Sequence, residues 1–561
     1  MATINVVIKY RDTVTLDVDG EDVSLPAVDQ ERLTRFQRSR PGTWSVRLLF
    51  GTVDQKKLAA LIEIAKRRNE ERGSHAAYAA PNFFNYVLVT YTTADSDPDH
   101  GMEQAVETAK KLVSVFPPSD KIDHSYIRLS DRPAGLTPAV NPPTLERGKP
   151  AVHVHHKHLH PAPVGLGVSG IWKYKGGDGS GQTLFDIELG WYLAHEDMCD
   201  VAATAKSGVY TSRVVLNDAN LPSSPDDLKH GTEVLGLVCA NYNPDRGSIG
   251  VAPNTTNIKA VTNWSSSGAQ LTGAALLNAA TDQLTGAVNR AKSTLDINAV
   301  ILIEVQAELV GQSYLFPVEV YSETFEAIRL ATEAGISVVE PAGNGADLYA
   351  SAPTAASGQT AVPSPSAAQA SSSPPAMDLD LLVQYIVPTD GLPPIHLLGR
   401  TQSLAVAATP NRIEMQAFRD SGAIIVASGR STSYAPASVK WVRDFDSNFG
   451  SRIDCFAQGR NTHTLTYNPG RLGEKDINHS AFTTRFSGTS AASAIIAGAA
   501  LCLKGVAQNA NPSITLDASQ VRKILSDGVL GTKILGGATD EIGVMPNLAA
   551  IVADAADTWA K

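Results

Sequence analysis

Hydrophobic and polar positions follow three different rhythms along the 561 residues. Over residues 1–135, extended apolar runs at Ile4–Lys9, Trp44–Phe50, Phe84–Thr92 and Ser125–Leu129 are interleaved with helical spacing at Lys56–Arg68 and Met102–Val113. Strand and helix in this alternation predict a small α+β domain, its helices packed on an antiparallel or mixed sheet. Residues 136–162 are rich in proline and histidine. Proline lacks a backbone donor and keeps the preceding residue extended, so this stretch reads as a linker.

From 163 to 561 the rhythm is α/β. Helical spacing over Thr281–Ser293 leads into the apolar run Ala299–Val305, and an amphipathic helix over Ser322–Ala334, closed by Gly335, leads into Ile336–Glu340. Ser403–Ala408 and Ala423–Ala427 read as further strands, and Leu516–Ser526 as a late helix after the turn at Asn511 and Pro512. Short apolar strands alternating with helices imply a doubly wound, mostly parallel sheet covered on both faces. Residues 350–376 consist mainly of alanine, serine and proline. Such a segment buries too little apolar area to offset the entropy of ordering, so it is expected as a surface insertion within the second domain.

Composition narrows the function classes. Hydrophobic residues at 43% and charged residues at 19% are ordinary for a globular chain. A net charge of -10 argues against binding to nucleic acid or an anionic membrane, which repel an acidic surface. The start has a short apolar run before Lys9 and no basic segment ahead of a long apolar stretch, so no secretory signal is predicted. Ala491–Leu503 falls well short of the ~20 apolar residues that cross a bilayer. The expectation is a protein with no membrane span, cytoplasmic as synthesised, with non-classical release compatible. Cys199, Cys239, Cys455 and Cys502 are scattered and read as reduced thiols.

Four segments carry candidate chemistry. TLFDIELGWYLAHEDM delivers Asp186 near the end of an apolar run, LKHGTEVLGLVCA sets His230 ahead of a helical pattern, and RFSGTSAASAIIAGAALCL sets Ser490 at the start of a helix of small residues. A serine hydroxyl is a weak nucleophile until an imidazole takes its proton, and that imidazole needs a carboxylate to hold its tautomer. Backbone N–H groups at a helix start can stabilise the resulting oxyanion. In VVEPAGNGADL, Asn344 lies in a glycine-flanked turn, where its amide can add a donor.

The order Asp, His, Ser, with HGT at His230, GTSAA at Ser490 and AGN at Asn344, resembles the subtilases. GSIGVAPNT (247–255) and DCFAQG (454–459) are similar to further family segments, all in family order over roughly 163–510. The resemblance implies a serine endopeptidase acting on proteins or peptides through an acyl-enzyme, with Asp186, His230 and Ser490 as triad and Asn344 in the oxyanion hole. It implies no cofactor for the chemistry. Structural calcium, common in the family, is possible but unassigned; Asp226 and Asp227 are the residues considered for it.

Three departures from the family pattern bear on the site. The usual D-T/S-G reads Asp186-Ile187-Glu188 with the glycine delayed to Gly190. Glu188 competes for the role, because strand alternation puts it on the same face as Asp186; the preceding apolar run favours Asp186. The proline usual four residues after the serine is Ala494, and the SxG of the substrate-pairing strand is missing from VILIEVQAEL. If that strand keeps its place, Glu304 or Gln306 faces the substrate groove. The N-terminal domain resembles a subtilase propeptide in position and texture, which implies an intramolecular inhibitor; a permanently attached docking domain is the alternative. Two other readings of the whole chain are a catalytically silent scaffold and a transpeptidase or macrocyclase using the same acyl-enzyme.

Two further signals are discounted. His153, His155, His156, His158 and His160 lack cysteine or acidic partners and read as a solvated linker rather than a metal site. GLGVSG (165–170) matches a nucleotide-loop spacing but follows prolines instead of a strand, so no nucleotide is expected.

Overall fold

In the computed structural model, β1 (Thr3–Tyr10) lies inside a six-stranded antiparallel sheet of order β2-β3-β4-β5-β1-β6. Its other strands are β2 (Asp17–Asp19), β3 (Asp22–Ser24), β4 (Gly42–Leu48), β5 (Tyr86–Thr93) and β6 (Ile122–Arg128), with helices α1 (Ala27–Arg38), α2 (Gln55–Glu71) and α3 (Pro98–Val115). The structure describes residues 2–19, 21–73, 78–95, 98–129, 131–133, 156–207, 211–217, 225–241, 248–263, 272–285, 294–309, 314–346, 376, 379–381, 419–432, 439–467, 479–535 and 541–559.

The central strands β1 and β5 are buried on both faces, which explains why β1 reads as a continuous apolar run. Ile4, Val6, Ile8 and Tyr10 join a core with Val87, Val89, Leu112 and Phe116. The opposite phase, Val7, Leu88 and Tyr126, belongs to a second core shared with the rest of the chain. Side chains alternate across a strand, so one phase packs on the domain's own helices and the other on the larger domain. Asp54 starts α2 by accepting from the N–H groups of Lys56 and Lys57. Beyond this sheet the chain continues into the short β7 (Arg132–Pro133).

The second domain is built on β8 (Thr183–Glu188), the middle strand of an eight-stranded sheet of order β19-β18-β16-β13-β8-β10-β9, with β20 against β18. These are β9 (Val214–Leu216), β10 (Asn257–Thr262), β13 (Ala299–Ile303), β16 (Ser337–Pro341), β18 (Ile424–Ser431), β19 (Trp441–Arg443) and β20 (Cys455–Gln458). All pairs are parallel except β18 with β19. The helices are α4 (Val168–Ile171), α5 (Val201–Ser207), α6 (Pro225–Cys239), α7 (Thr272–Thr281), α8 (Ser322–Glu333), α9 (Thr489–Ala510), α10 (Ala518–Leu525) and α11 (Leu548–Trp559). α9 is long and apolar enough to cross a membrane, and the stretch that passes that test is buried throughout. Its small residues let it pack against α6, β18 and β20.

Three expectations change. The helix predicted over Thr281–Ser293 ends at Thr281, and Leu284–Thr285 and Thr294–Leu295 pair as the short strands β11 and β12. The helix present, α7, is buried almost all round and so shows little of the polar face that periodicity detects. The run Ala299–Val305 divides at Glu304: β13 stays in the main sheet, while β14 (Val305–Glu308) pairs antiparallel with β15 (Tyr314–Pro317). A further pair joins β15 to β17 (Gly345–Ala346), and β21 (Thr462–Leu465) pairs with β22 (Phe482–Phe486). Finally, His156 and His158 are not solvated: they are 2% and 0% exposed, with the His156 ring 4.7 Å from that of His463. The strand Ser403–Ala408, the insertion 350–375 and most of the linker lie outside the described residues.

Candidate active site

β8 is flanked by β13 and β10, and its last residue, Glu188, meets His230 on α6. Asp186 and Glu188, two residues apart on one strand face, are both fully buried. His230, on α6, stands between a carboxylate and a hydroxyl. Its Nδ1 is bonded to Glu188 Oε1, and its Nε2 lies 3.2 Å from Ser490 Oγ. Ser490 is the second residue of α9, whose N-cap is Gly488 at φ 104, a backbone angle that favours glycine. Gly231 is required by contact: a Cβ there would stand 2.2 Å from Gly190 O and 2.7 Å from Trp191 Cδ1.

The structure thus corrects the carboxylate. Asp186 does not reach His230; its Oδ2 accepts from Trp191 Nε1 at 2.7 Å. Register supplies the reason. Asp186 lies opposite Ala260 on β10 and Leu302 on β13, inside the sheet, whereas Glu188 lies at the strand's carboxyl end opposite Thr262 alone. From the deeper position an aspartate is too short, and at the end a glutamate has the reach. The missed signal was Glu188-Leu189-Gly190, which keeps the acid-x-glycine spacing with glutamate as the acid.

Burial sets the electrostatics of this cluster. Desolvation lowers His230 to about 4, partly offset by the charges of Glu233 and Asp186. The ring therefore rests neutral, as a proton acceptor must. Desolvation also pushes Glu188 well above the usual range, opposed by the Leu189 N–H that donates to its Oε2 at 3.0 Å. Asp186 is raised by burial and then by the charge of Glu188, so the pocket resists a second ionised carboxylate.

Asn344 is brought to the same place. Its Oδ1 accepts from Thr489 N at 2.9 Å and Thr489 Oγ1 at 3.0 Å, which directs the donor end of the amide away from Thr489. Asn448 Nδ2 donates to Ala342 O at 2.8 Å and Leu315 O at 2.7 Å, fixing the turn. Of the two groove candidates, Glu304 turns under α9, where Ser493 Oγ donates to its Oε1 at 2.6 Å. Gln306 takes the other direction: its Oε1 accepts from Asn344 N at 3.0 Å.

Glu188, His230 and Glu304 are the one cluster among the described residues whose ligating atoms lie within 4.8 Å of one another. Glu188 and His230 already satisfy each other there. Asp226 and Asp227 fall in the first turn of α6, where acidic side chains complement the positive end of the helix dipole.

The edge of β14 nearest the site is occupied by the chain itself. β7 pairs antiparallel with it, Val305 opposite Pro133 and Gln306 opposite Arg132. Just upstream, Arg128 donates to Glu323 at 2.9 Å and to Asp131 at 2.6 Å, both acids buried, and Tyr126 and Thr272 bond to Glu323 and Asp131 respectively.

A family model described as the subtilase family matches residues 151–535. No curated protein sequence matches the chain significantly. Among solved structures, fervidolysin from Fervidobacterium pennivorans, a keratinolytic enzyme related to subtilisin, aligns at 12% identity and a TM-score of 0.46. That alignment covers 98% of this chain, which spans only 61% of the fervidolysin chain. A protease from Pseudoalteromonas arctica aligns at 19% identity and a TM-score of 0.39, over 72% of this chain and 99% of its own. A cold-adapted subtilisin-like serine proteinase aligns at 17% and 0.35, over 66% and 89%.

Proposed function

Because this chain belongs to the subtilase family, we propose that it is a serine endopeptidase whose triad is Glu188, His230 and Ser490. The observation that carries the reading is the single imidazole held between Glu188 at Nδ1 and the Ser490 hydroxyl at Nε2. His230 takes the Ser490 proton as the oxygen attacks the peptide carbonyl, and Glu188 stabilises the imidazolium that forms. The tetrahedral oxyanion is held by the Asn344 amide and the Ser490 backbone N–H at the start of α9. The imidazolium then protonates the leaving amine, an acyl-enzyme remains on Ser490, and water attacks it by the same relay in reverse. No cofactor takes part.

The N-terminal domain acts in this reading as an intramolecular inhibitor. β7 fills the β14 edge as an added strand, where an extended peptide substrate would pair. A fluorophosphonate probe tests the core of the proposal: labelling confined to Ser490 and abolished in His230→Ala supports it. No labelling of Ser490 at any pH, with the fold intact, refutes it.

A further inference from the structure

The oxyanion donor and the substrate edge are joined by one side chain. Gln306, on β14, reaches across to the backbone N–H of Asn344 with its Oε1 at 3.0 Å and is 2% exposed. We infer that Gln306 is the specificity-determining residue of this site and restricts the position before the cleaved bond to small side chains such as glycine, alanine and serine. The inference rests on the proposed serine-peptidase reading.

The reacting carbonyl must sit between Ser490 Oγ and the Asn344 amide, while the peptide that carries it pairs with β14. A peptide bound in the register of β7 has one residue opposite Gln306 and the next opposite Val305, and its third residue runs on toward Glu304, where the chain passes from β13 into β14. Glu304 is bonded to Ser493, one turn along from the nucleophile, so the third residue is the one presented to Ser490. His230 and Ser490 occupy one side of that residue. Its side chain is left the space between β14 and the turn holding Asn344, and the Gln306 amide spans that space. Gly343 closes the turn from behind: a Cβ there would meet Leu315 O at 2.4 Å and Asn448 Nδ2 at 2.7 Å. A large side chain could enter only by displacing Gln306, which would leave a buried amide and the Asn344 N–H without their bond.

The test uses the purified full chain, incubated until fluorophosphonate labelling of a parallel sample shows Ser490 accessible, and a peptide series identical except for the residue before the scissile bond. The wild type is expected to cleave after alanine or glycine with kcat/KM at least about tenfold above phenylalanine or leucine, the range a shape-limited pocket delivers. Gln306→Gly should raise the phenylalanine-to-alanine ratio by about tenfold or more, and Gln306→Ala by less. The ratio is the readout because loosening Asn344 slows all substrates alike. Equal cleavage after phenylalanine and alanine by the wild type, or an unchanged ratio in a folded Gln306→Gly or Gln306→Ala variant, overturns the inference. Peptide cleavage that persists in Ser490→Ala instead overturns the underlying reading and is seen separately.

Discussion

His230 Nδ1 is bonded to Glu188, while Asp186, two residues earlier on the same strand, is bonded to Trp191 Nε1 at 2.7 Å. The two acids share a strand face and complete burial, yet only one can serve the imidazole. Glu188→Gln should therefore reduce kcat/KM by about 10³–10⁴, the scale on which an orienting carboxylate acts by fixing the tautomer. Asp186→Asn, which touches no reacting atom, should cost less than about tenfold. Peptide hydrolysis measured beside thermal unfolding decides; the opposite ranking would restore Asp186 to the relay.

Asn344→Ala should lower kcat by about 10²–10³ with little change in KM, because the amide acts on charge that develops only in the transition state. That magnitude was measured on subtilisin rather than on this chain. The carbonyl of Asn344 also accepts from Thr489 N and Oγ1, so Thr489→Ala should reproduce part of the loss by freeing the amide to rotate.

The buried histidines make stability depend on acid. His158 is fully buried and its ring nitrogens have no hydrogen-bond partner among the described residues; burial, then the neighbouring His463 and His160, lowers it to about 3. His195 is lowered to about 4, again by burial first. Their folded values lie below the unfolded value of 6.5, so the unfolded chain binds more protons as pH falls. The stability that these two histidines contribute should be complete above pH 6.5 and be lost between 6.5 and about 3 to 4, up to about 1.4 kcal/mol per pH unit for each, while Glu233 and Asp446, raised by burial to about 7, contribute in the opposite sense. Unfolding midpoints recorded from pH 7 to 4 should diverge between wild type and His158→Phe, the variant losing less stability as pH falls. An equal slope in that variant would show that His158 does not remain neutral in the folded state.

Docking of the N-terminal domain depends on a buried charge cluster at Arg128, Asp131 and Glu323. Glu323 is the partner on the larger domain, and removing it leaves the Arg128 Nε–H and the Tyr126 hydroxyl buried without their acceptor, at about 1–3 kcal/mol each, while Arg128 keeps Asp131. Glu323→Ala should release residues 1–133 from the groove. Limited proteolysis should then separate the domains sooner, and fluorophosphonate should label Ser490 faster than in the wild type. Labelling at the wild-type rate would mean that β7 does not obstruct the site.

Much of this was legible from the chain. The strands of the first domain, β8, α6 and α9 announce themselves by apolar runs and small-residue helices, Ser490 and Asn344 by glycine-bearing turns whose conformations few other residues tolerate, and His230 by the glycine beside it on α6, where a Cβ would strike Gly190. Helix α7 was displaced because it is buried on nearly every side and has little polar face to betray its period. His156 and His158 read as solvated because composition reports what a segment is made of and not what packs over it.

The sequence by itself determined the order of elements and the chemical groups available to the site, because periodicity and turn chemistry are local. Only tertiary structure decided which carboxylate meets the imidazole, since Asp186 and Glu188 share a face and differ in depth, and depth is set by where β10 and β13 end. It likewise decided that Gln306 crosses to Asn344 while Glu304 dives beneath α9: residues two apart part company where a strand leaves one sheet for another, a break that no local pattern encodes.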